Sequence, residues 1–264
     1  FAAATKGKRG TSTVDKEFLV ELEKWRAELA RIIALKNFGL SAQEVNFSVQ
    51  RIIDRILFLR MCEDRAIEPY GQLLSISSGH RTYPRLCEVF ERADQRYNSG
   101  LFHFHDEPGR PESPDRLTLN LILPDHPVQF ILHGLYYPKC PYEFSVLPAE
   151  ILGNVYEQFL GNVIQISLGR RAKVVPKPEV KKAGGVYYTP SHIVDYIVKN
   201  TVGKLIEGKT PKQIENIKIL DPACGSGSFL LGAYTCLLNY HRDWYVDNNT
   251  KKHTKQIYQG RGKQ

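Results

Sequence analysis

An apolar run that stops at an acid, turns through two glycines and re-emerges as a helical pattern constrains this chain more than any other feature. It reads Lys218-Ile-Leu-Asp-Pro-Ala-Cys-Gly-Ser-Gly-Ser-Phe-Leu-Leu-Gly-Ala-Tyr234. Ile217 to Leu220 predicts a strand ending at Asp221, and a helix is expected from about Ser228. Gly225 and Gly227 tolerate dihedrals that other residues avoid and let a ligand approach the backbone closely. A strand–turn–helix unit of this kind can admit a nucleotide-like ligand beside a helix N-terminus. Asp221 is placed to accept a hydrogen bond from a cationic ammonium group. A P-loop would need Gly-Lys-Ser/Thr after the turn, where Phe229 and Leu230 stand instead. A dinucleotide fingerprint would need a third glycine at the position of Leu230. A bare Gly-x-Gly is also an ordinary tight turn, so the rest of the sequence has to decide.

Two long amphipathic helices are expected upstream. From about Val14 to Lys36, Phe18, Leu22, Trp25, Leu29 and Ile32 step by three and four. Ser41-Ala-Gln-Glu44 forms a capping box that opens a second helix, running to about Arg65, with Val45, Val49, Ile52, Ile53, Ile56 and Leu57 on one face. Pro69, Tyr70 and Gly71 follow it. Stripes of this kind build scaffold. Residues 1–13 read as a lead-in.

Residues 80–147 carry weaker signals. Tyr83 to Ala93 predicts a helix, and Leu117 to Leu123 a short strand or buried turn. His103 and His105 would share one face of an extended segment, but no further ligand stands at a metal-site spacing, and no metal is expected. A third helix is expected from about Ala149 to Ile164, with Ile151, Val155, Phe159 and Val163 inward. Leu168 to Lys182 then reads as a basic linker or loop. It holds Arg170, Arg171, Lys173, Lys177, Lys181 and Lys182 against the single acid Glu179, as a solvated linker or a phosphate-contacting strip would. Thr189-Pro190 predicts a helix start, with a hydroxyl N-cap and proline at the first helical position. Ile193, Val194, Ile197 and Val198 mark its buried side.

Composition narrows the class without naming it. The formal net charge is +8 over 264 residues, which suits a nucleic-acid partner but also many soluble proteins. No apolar run reaches the ~18 residues of a membrane span. Cys62, Cys87, Cys140, Cys224 and Cys236 are odd in number and widely spaced, which favours a reducing cytoplasm over a disulfide framework or zinc site. The chain starts at Phe1 and its only methionine is Met61, so residues are expected upstream.

The run Asp221-Pro222-Ala223-Cys224-Gly225-Ser226-Gly227-Ser228-Phe229-Leu230 resembles motif I of the amino-group DNA methyltransferases, which binds S-adenosylmethionine (AdoMet). Gly184-Gly185-Val186-Tyr187-Tyr188-Thr189-Pro190-Ser191-His192-Ile193-Val194 resembles their motif X, which precedes motif I in one permuted class. Ile151 to Leu160 is similar to the helix that leads into this methyltransferase domain. Arg51 to Asp64 is similar to the helical region of single-chain restriction–modification (type IIG-like) enzymes. The resemblance therefore covers most of residues 40–245.

It implies a mainly helical connector over 1–147, then the start of a Rossmann-like α/β methyltransferase domain over 148–264, with a basic linker at 168–184. It implies AdoMet as cofactor, held by Tyr188, Thr189, Asp221, Ala223, Cys224, Gly225, Ser226, Gly227 and Phe229. It implies double-stranded DNA as partner and adenine N6 as the methylated atom; with DNA as partner, the charge of Arg170, Arg171, Lys173, Lys177, Lys181 and Lys182 is read as a contact to its backbone.

The chain departs from the family in two respects. The family's Asn/Asp/Ser-Pro-Pro-Tyr/Phe motif has no counterpart, because Pro-Pro occurs nowhere in the sequence. No acid stands where the ribose-binding residue is expected either, Asp243 and Asp247 falling too early. The α/β part is therefore expected to be incomplete, and the chain alone inactive, with no catalytic residue assigned. Glu179-Val180-Lys181 has the Glu-x-Lys form of metal-dependent nucleases, but Pro114-Asp115 and Pro124-Asp125 lie far ahead of it and read as chance matches. Any nuclease is expected before Phe1. The alternatives are a non-catalytic DNA-binding or assembly module, and a methyltransferase acting on RNA or protein.

Overall fold

The computed structural model describes residues 11–97, 99–140, 144, 149–178, 189–225, 227–248 and 252–257. The chain divides into two compact units, Phe1–Val186 and Tyr187–Gln264. Both are mainly helical, and the one sheet among the described residues is a two-stranded antiparallel hairpin in the first unit. No helix among them is long and apolar enough to cross a membrane.

Helices α1 (Thr11–Lys36) and α2 (Ala42–Asp64) frame the first unit. Phe18, Leu22, Trp25, Leu29 and Ile32 are all buried, as their spacing predicted. At the start of α2, Ser41 Oγ accepts from the Glu44 amide at 3.2 Å while the Glu44 carboxylate accepts from the Ser41 amide at 2.8 Å. This reciprocal pair satisfies two amides that a helix start leaves open. Val45, Val49, Ile52, Ile53 and Ile56 then point into the same core.

Three shorter helices close over that frame: α3 (Gln72–Ile76), α4 (Thr82–Tyr97) and α5 (Asp125–His133). Helix α4 runs one residue earlier and four residues later than its apolar pattern predicted, and a distant residue caps its start. Asp125 accepts from the amides of Thr82 at 2.7 Å and Arg81 at 3.1 Å. Leu117 to Leu123 contains a 3-10 turn at Thr118–Asn120. The two Pro-Asp acids thus have structural roles, since Asp115 is buried in an ion pair with Arg55 and Asp125 caps a helix. His103 is buried, with Nε2 3.1 Å from the Glu112 carbonyl, whereas His105 is exposed.

The third predicted helix is corrected at its end. Helix α6 spans Ala149–Leu160, and Val163 and Ile164 lie instead in a strand, β1 (Asn162–Ile166). It pairs with β2 (Ala172–Pro176), setting Ile164 opposite Val174 and Val163 opposite Val175. Gly161 ends the helix, and β-branched residues facing one another favour the ladder. The described part of the stretch expected as a linker, 168–178, is therefore mostly hairpin. Helix α6 and the hairpin pack on α1 and α2, so the boundary drawn at 147/148 from the sequence falls inside one compact unit. Arg26 fixes this packing: its guanidinium lies 4.0 Å from the Phe159 ring and donates to the carbonyls of Phe159 at 2.5 Å and Asn162 at 3.2 Å.

In the second unit, α7 (Ser191–Val198) continues through a π-helical turn, Lys199–Gly203, and a last turn, Lys204–Ile206. Val194, Val198, Val202 and Ile206 recur every four residues and form its buried ridge. They pack with Ile214 and with α8 (Ser228–Asp247), which contributes Ala233, Phe229, Cys236, Leu237 and Tyr240. Tyr240 ties in the connecting loop, its hydroxyl donating to the Lys209 carbonyl at 2.9 Å and accepting from the Lys209 amide at 3.2 Å.

Candidate cofactor site

The glycine turn folds as its chemistry predicted, while the strand before it does not. Gly225 and Gly227 have φ of 54° and 79°, in the left-handed region where a side chain is strained. The Gly227 amide donates to the Cys224 carbonyl at 2.7 Å, closing the turn, and α8 begins at the next residue. Asp221 Oδ1 accepts from the Ala223 amide at 3.1 Å, a side-chain turn that fixes the carboxylate at the loop entrance. The N-cap of α8 is Gly227, which has no side chain to cap the helix. Ile217 to Leu220 is not a strand, because no described segment lies beside it as a ladder partner. Leu220 is accordingly 86% exposed.

Thr189 and its helix also need correction. The N-cap of α7 is Pro190, with φ −59° and ψ 145°, and the helix starts at Ser191, so the Thr189 hydroxyl caps nothing. A residue before proline is pushed out of the helical region. Here the proline itself is extended as well, which moves the start one residue further on. Val194 and Val198 are buried as expected, while Ile193 and Ile197 are 40% and 38% exposed.

Both segments do come together. A Cβ added at Gly232 of α8 would stand 2.8 Å from Val194 Cγ1 and 3.3 Å from Val198 Cγ2 of α7. Val194 and Gly232 each lie about one turn, or ~5 Å, from the start of their helix. The two helix starts therefore lie close to one contact point. Gly232→Val should force the helices apart, since Val194 is stiff at χ1. The expected loss is about 1–3 kcal/mol in the second unit. Hydrogen exchange of the α7 and α8 amides checks it: faster exchange there with the first unit unchanged is the expected result, and unchanged protection would contradict it.

Among the expected cofactor residues, Asp221, Gly227 and Phe229 are half-buried, and Ala223, Cys224 and Gly225 are exposed along one loop. Phe229 packs beneath the turn against the second core. Thr189 is half-exposed ahead of α7. Tyr188 and Ser226 lie outside the described residues, as do Lys181 and Lys182. The remaining cations are in the hairpin of the first unit. Arg171 and Lys173 are exposed, Lys177 is half-buried, and Arg170 is committed to α1. At φ 59°, Arg170 donates to the carbonyls of Ala34 at 2.9 Å, Asn37 at 3.0 Å and Leu40 at 2.8 Å, capping the C-terminal end of that helix. This role left no signal in the sequence. Two clefts of the first unit, about 470 Å³ beside Trp25 and Lys139 and about 570 Å³ beside Tyr83 and Asp115, contain none of the motif residues.

The five cysteines differ sharply in access. Burial raises the Cys62 thiol and pushes that of Cys87 up to about 12, whereas Cys224 is exposed on the glycine loop.

Comparison with known proteins bears on the family of the chain. Residues 148–263 match the family described as N-6 DNA Methylase. The chain is 36% identical over 241 residues to the type II restriction enzyme and methyltransferase RM.Eco57I of Escherichia coli, covering 91% of this chain and 23% of that protein. It is 29% identical over 153 residues to the adenine-specific methyltransferase BrxX of Escherichia coli O9:H4 (strain HS), covering 44% of this chain and 12% of that protein. A putative type II restriction enzyme and methyltransferase of Methanocaldococcus jannaschii is 22% identical over 251 residues, covering 74% and 21%. The chain thus spans at most about a quarter of the length of these relatives. No solved structure matches it. Residues 148–263 thus match the N-6 DNA Methylase family, and the chain is similar over most of its length to about a quarter of a type II restriction enzyme and methyltransferase.

Proposed function

We propose that this chain carries the AdoMet-binding half of an enzyme that methylates adenine N6 in double-stranded DNA. The observation that carries the reading is the Asp221–Gly227 loop. Its two left-handed glycines leave backbone open to a ligand, its carboxylate stands at one end, and helix α8 starts at the other. The loop fits AdoMet on its donor set. Asp221 has one oxygen engaged by the Ala223 amide, and the other is free to accept from the ammonium of the methionine end. A Cβ at Gly227 would meet nothing within 4 Å, so open space lies over the turn. The start of α7 supplies further amide donors for a carboxylate. Phe229 holds the turn from below.

AdoMet, when bound, supplies the methyl group. The chain's own residues orient the cofactor and keep its methionine end fixed. The adenine must leave the duplex to reach such a site. Because Pro-Pro is absent from the sequence, we assign the grip on the flipped base to residues outside this chain, and we expect no methyl transfer by the chain alone. We place the Rossmann-like sheet, of which Ile217–Leu220 would be one strand, in the same larger domain.

Asp221→Ala removes one charge-assisted hydrogen bond, worth about 1.5–3 kcal/mol, and should weaken AdoMet binding by roughly 10- to 100-fold. Titration calorimetry on the 264-residue chain reads this directly. AdoMet should also slow the modification of Cys224 by a thiol reagent while leaving the buried Cys87 untouched in both states. Equal Cys224 rates with and without saturating AdoMet would remove the loop from the cofactor site. In the full-length protein, label from AdoMet should appear as N6-methyladenine. Label on RNA or protein would instead promote the alternative substrates, and label on cytosine would correct the base.

A further inference from the structure

We infer that the outer face of the β1–β2 hairpin is a sequence-independent contact for the phosphate backbone of duplex DNA, held in position by the helices beneath it. The inference rests on the reading of the protein as a DNA methyltransferase but concerns the other compact unit. Strand alternation sets the two faces. Ile164, Ile166, Ala172 and Val174 face the core of the first unit. The opposite parity then turns Arg171, Lys173 and Lys177 outward. The ladder continues beyond both ends of β2, the Ser167 amide donating to the Arg171 carbonyl at 3.1 Å and the Lys177 amide to the Gly161 carbonyl at 2.9 Å. The three cations therefore stand on one face, over ~20 Å at ~3.4 Å per residue.

None of the three makes an ion pair with a carboxylate of the described residues. Most other arginines of this unit are neutralised or spent on carbonyls: Arg55 pairs with Asp115, Arg60 with Asp64, and Arg170 caps α1. The hairpin therefore carries three cations free of carboxylate partners among the described residues, within one short strand and its flanks. Its backbone is also fixed. The Asn46 side chain clamps the free edge of β1, its amide donating to the Ile164 carbonyl at 2.7 Å and its oxygen accepting from the Ile164 amide at 2.8 Å. That clamp covers a strand edge that would otherwise pair with another chain. A rigid row of unpaired cations is complementary to a polyanion with evenly spaced charges. Leu168, at the hairpin tip, is the one fully exposed apolar side chain there. A single leucine gives too little apolar area for a protein interface or membrane insertion to be the first choice.

The test is the salt dependence of binding to a mixed-sequence 20-base-pair duplex, without AdoMet, using the 264-residue chain. Each phosphate contact contributes about 0.9 to the slope of log K against log salt. The triple variant Arg171→Ala/Lys173→Ala/Lys177→Ala should lower that slope by about 2 to 3 and leave AdoMet binding intact, whereas Asp221→Ala should do the reverse. Lys173→Glu alone should also weaken binding at low salt. Leu168→Ser should change neither quantity. A wild-type chain that binds duplex with a slope unmoved by the triple variant overturns this inference and leaves the methyltransferase reading standing. Failure of the full-length protein to methylate DNA overturns that reading and, with it, this one. Binding to phosphatidylserine vesicles that depends on Leu168, with no duplex binding, would reassign the hairpin to a membrane surface.

Discussion

Replacing Arg55 with methionine should destabilise the first unit by about 3–5 kcal/mol, a large part of the 5–15 kcal/mol that holds a typical domain together. Arg55 is 1% exposed. Its guanidinium donates to Asp115 Oδ2 at 2.7 Å, Thr118 Oγ1 at 2.6 Å and the Leu101 carbonyl at 2.9 Å, and it lies 4.5 Å from the Phe104 ring. Methionine fills most of the volume but leaves the Asp115 carboxylate buried without its counter-ion. Burial on its own would raise the Asp115 carboxyl. The Thr118 hydroxyl and amide, together with the Arg55 charge, outweigh burial and hold it below the usual range. A depressed carboxylate stabilises the fold above its unfolded pKa of about 3.9, and that contribution is lost as pH falls through the lower folded value. Wild-type stability should therefore decline below about pH 4. In Arg55→Met the carboxyl rises towards or above its unfolded value, so this dependence should shrink or change sign. Urea midpoints at pH 7 and pH 3.5 check both statements. The double variant Arg55→Met/Asp115→Asn should recover part of the loss, because it no longer buries an unpaired charge. Equal stability of single and double variants would show that the ion pair is not what the single change disturbs.

The same pair shows where the sequence was legible and where it was not. Helices α1 and α2 could be read because their information is local: a three-and-four stripe from Phe18 to Ile32, and a capping box contained within Ser41–Glu44. The left-handed turn at Gly225 and Gly227 could be read for the same reason. What escaped was long-range. Asp115 and Arg55 are 60 residues apart, Asp125 caps a helix that starts 43 residues earlier, and Arg170 reaches carbonyls 130 to 136 residues away. None of these contacts was visible locally, because a cap or counter-ion supplied from a distance leaves no periodicity.

The hairpin was missed on different grounds. Short apolar runs do not distinguish strand from helix, and Val163 and Ile164 fitted either period until Val174 and Val175 were seen opposite them. At the candidate site, the loop and its glycines were legible, and the contact between α7 and α8 was not. That contact depends on Gly232, which in sequence is one more glycine inside a helical pattern. Nothing local marked Ile217–Leu220 as a strand without a ladder partner either, since pairing is a property of the neighbours.

Removing the Glu63 carboxylate should cost about as much as losing Arg55, for a different reason. Glu63 is 3% exposed and serves as a remote cap for α3, which has only Gly71, at φ 82°, in the N-cap position. Its oxygens accept from the Leu73 amide at 2.8 Å, the Gly71 amide at 3.0 Å and the Tyr136 hydroxyl at 2.5 Å. Arg60 Nη1 stands 3.8 Å away and is also paired with Asp64, whose other oxygen accepts from the Phe144 amide at 2.8 Å. Glu63→Ala leaves the Leu73 amide and the Tyr136 hydroxyl buried without acceptors, at about 1–3 kcal/mol each. It also strips Arg60 of one of its two carboxylates. Glu63→Gln keeps one acceptor oxygen but presents an NH2 group where the carboxylate accepted, so it should be intermediate. Tyr136→Phe removes a single donor and leaves the carboxylate bound to both amides, at about 1 kcal/mol. The two side chains touch, so their effects should not add, and the Glu63→Ala/Tyr136→Phe double variant should be less destabilised than the sum. Urea denaturation measures all four variants, and hydrogen exchange at residues 71–76 locates the damage. A distributed loss of protection with residues 71–76 unchanged would mean that the carboxylate matters only as the partner of Arg60. Selective opening of α3 would show that a charge on one helix sets the start of the next.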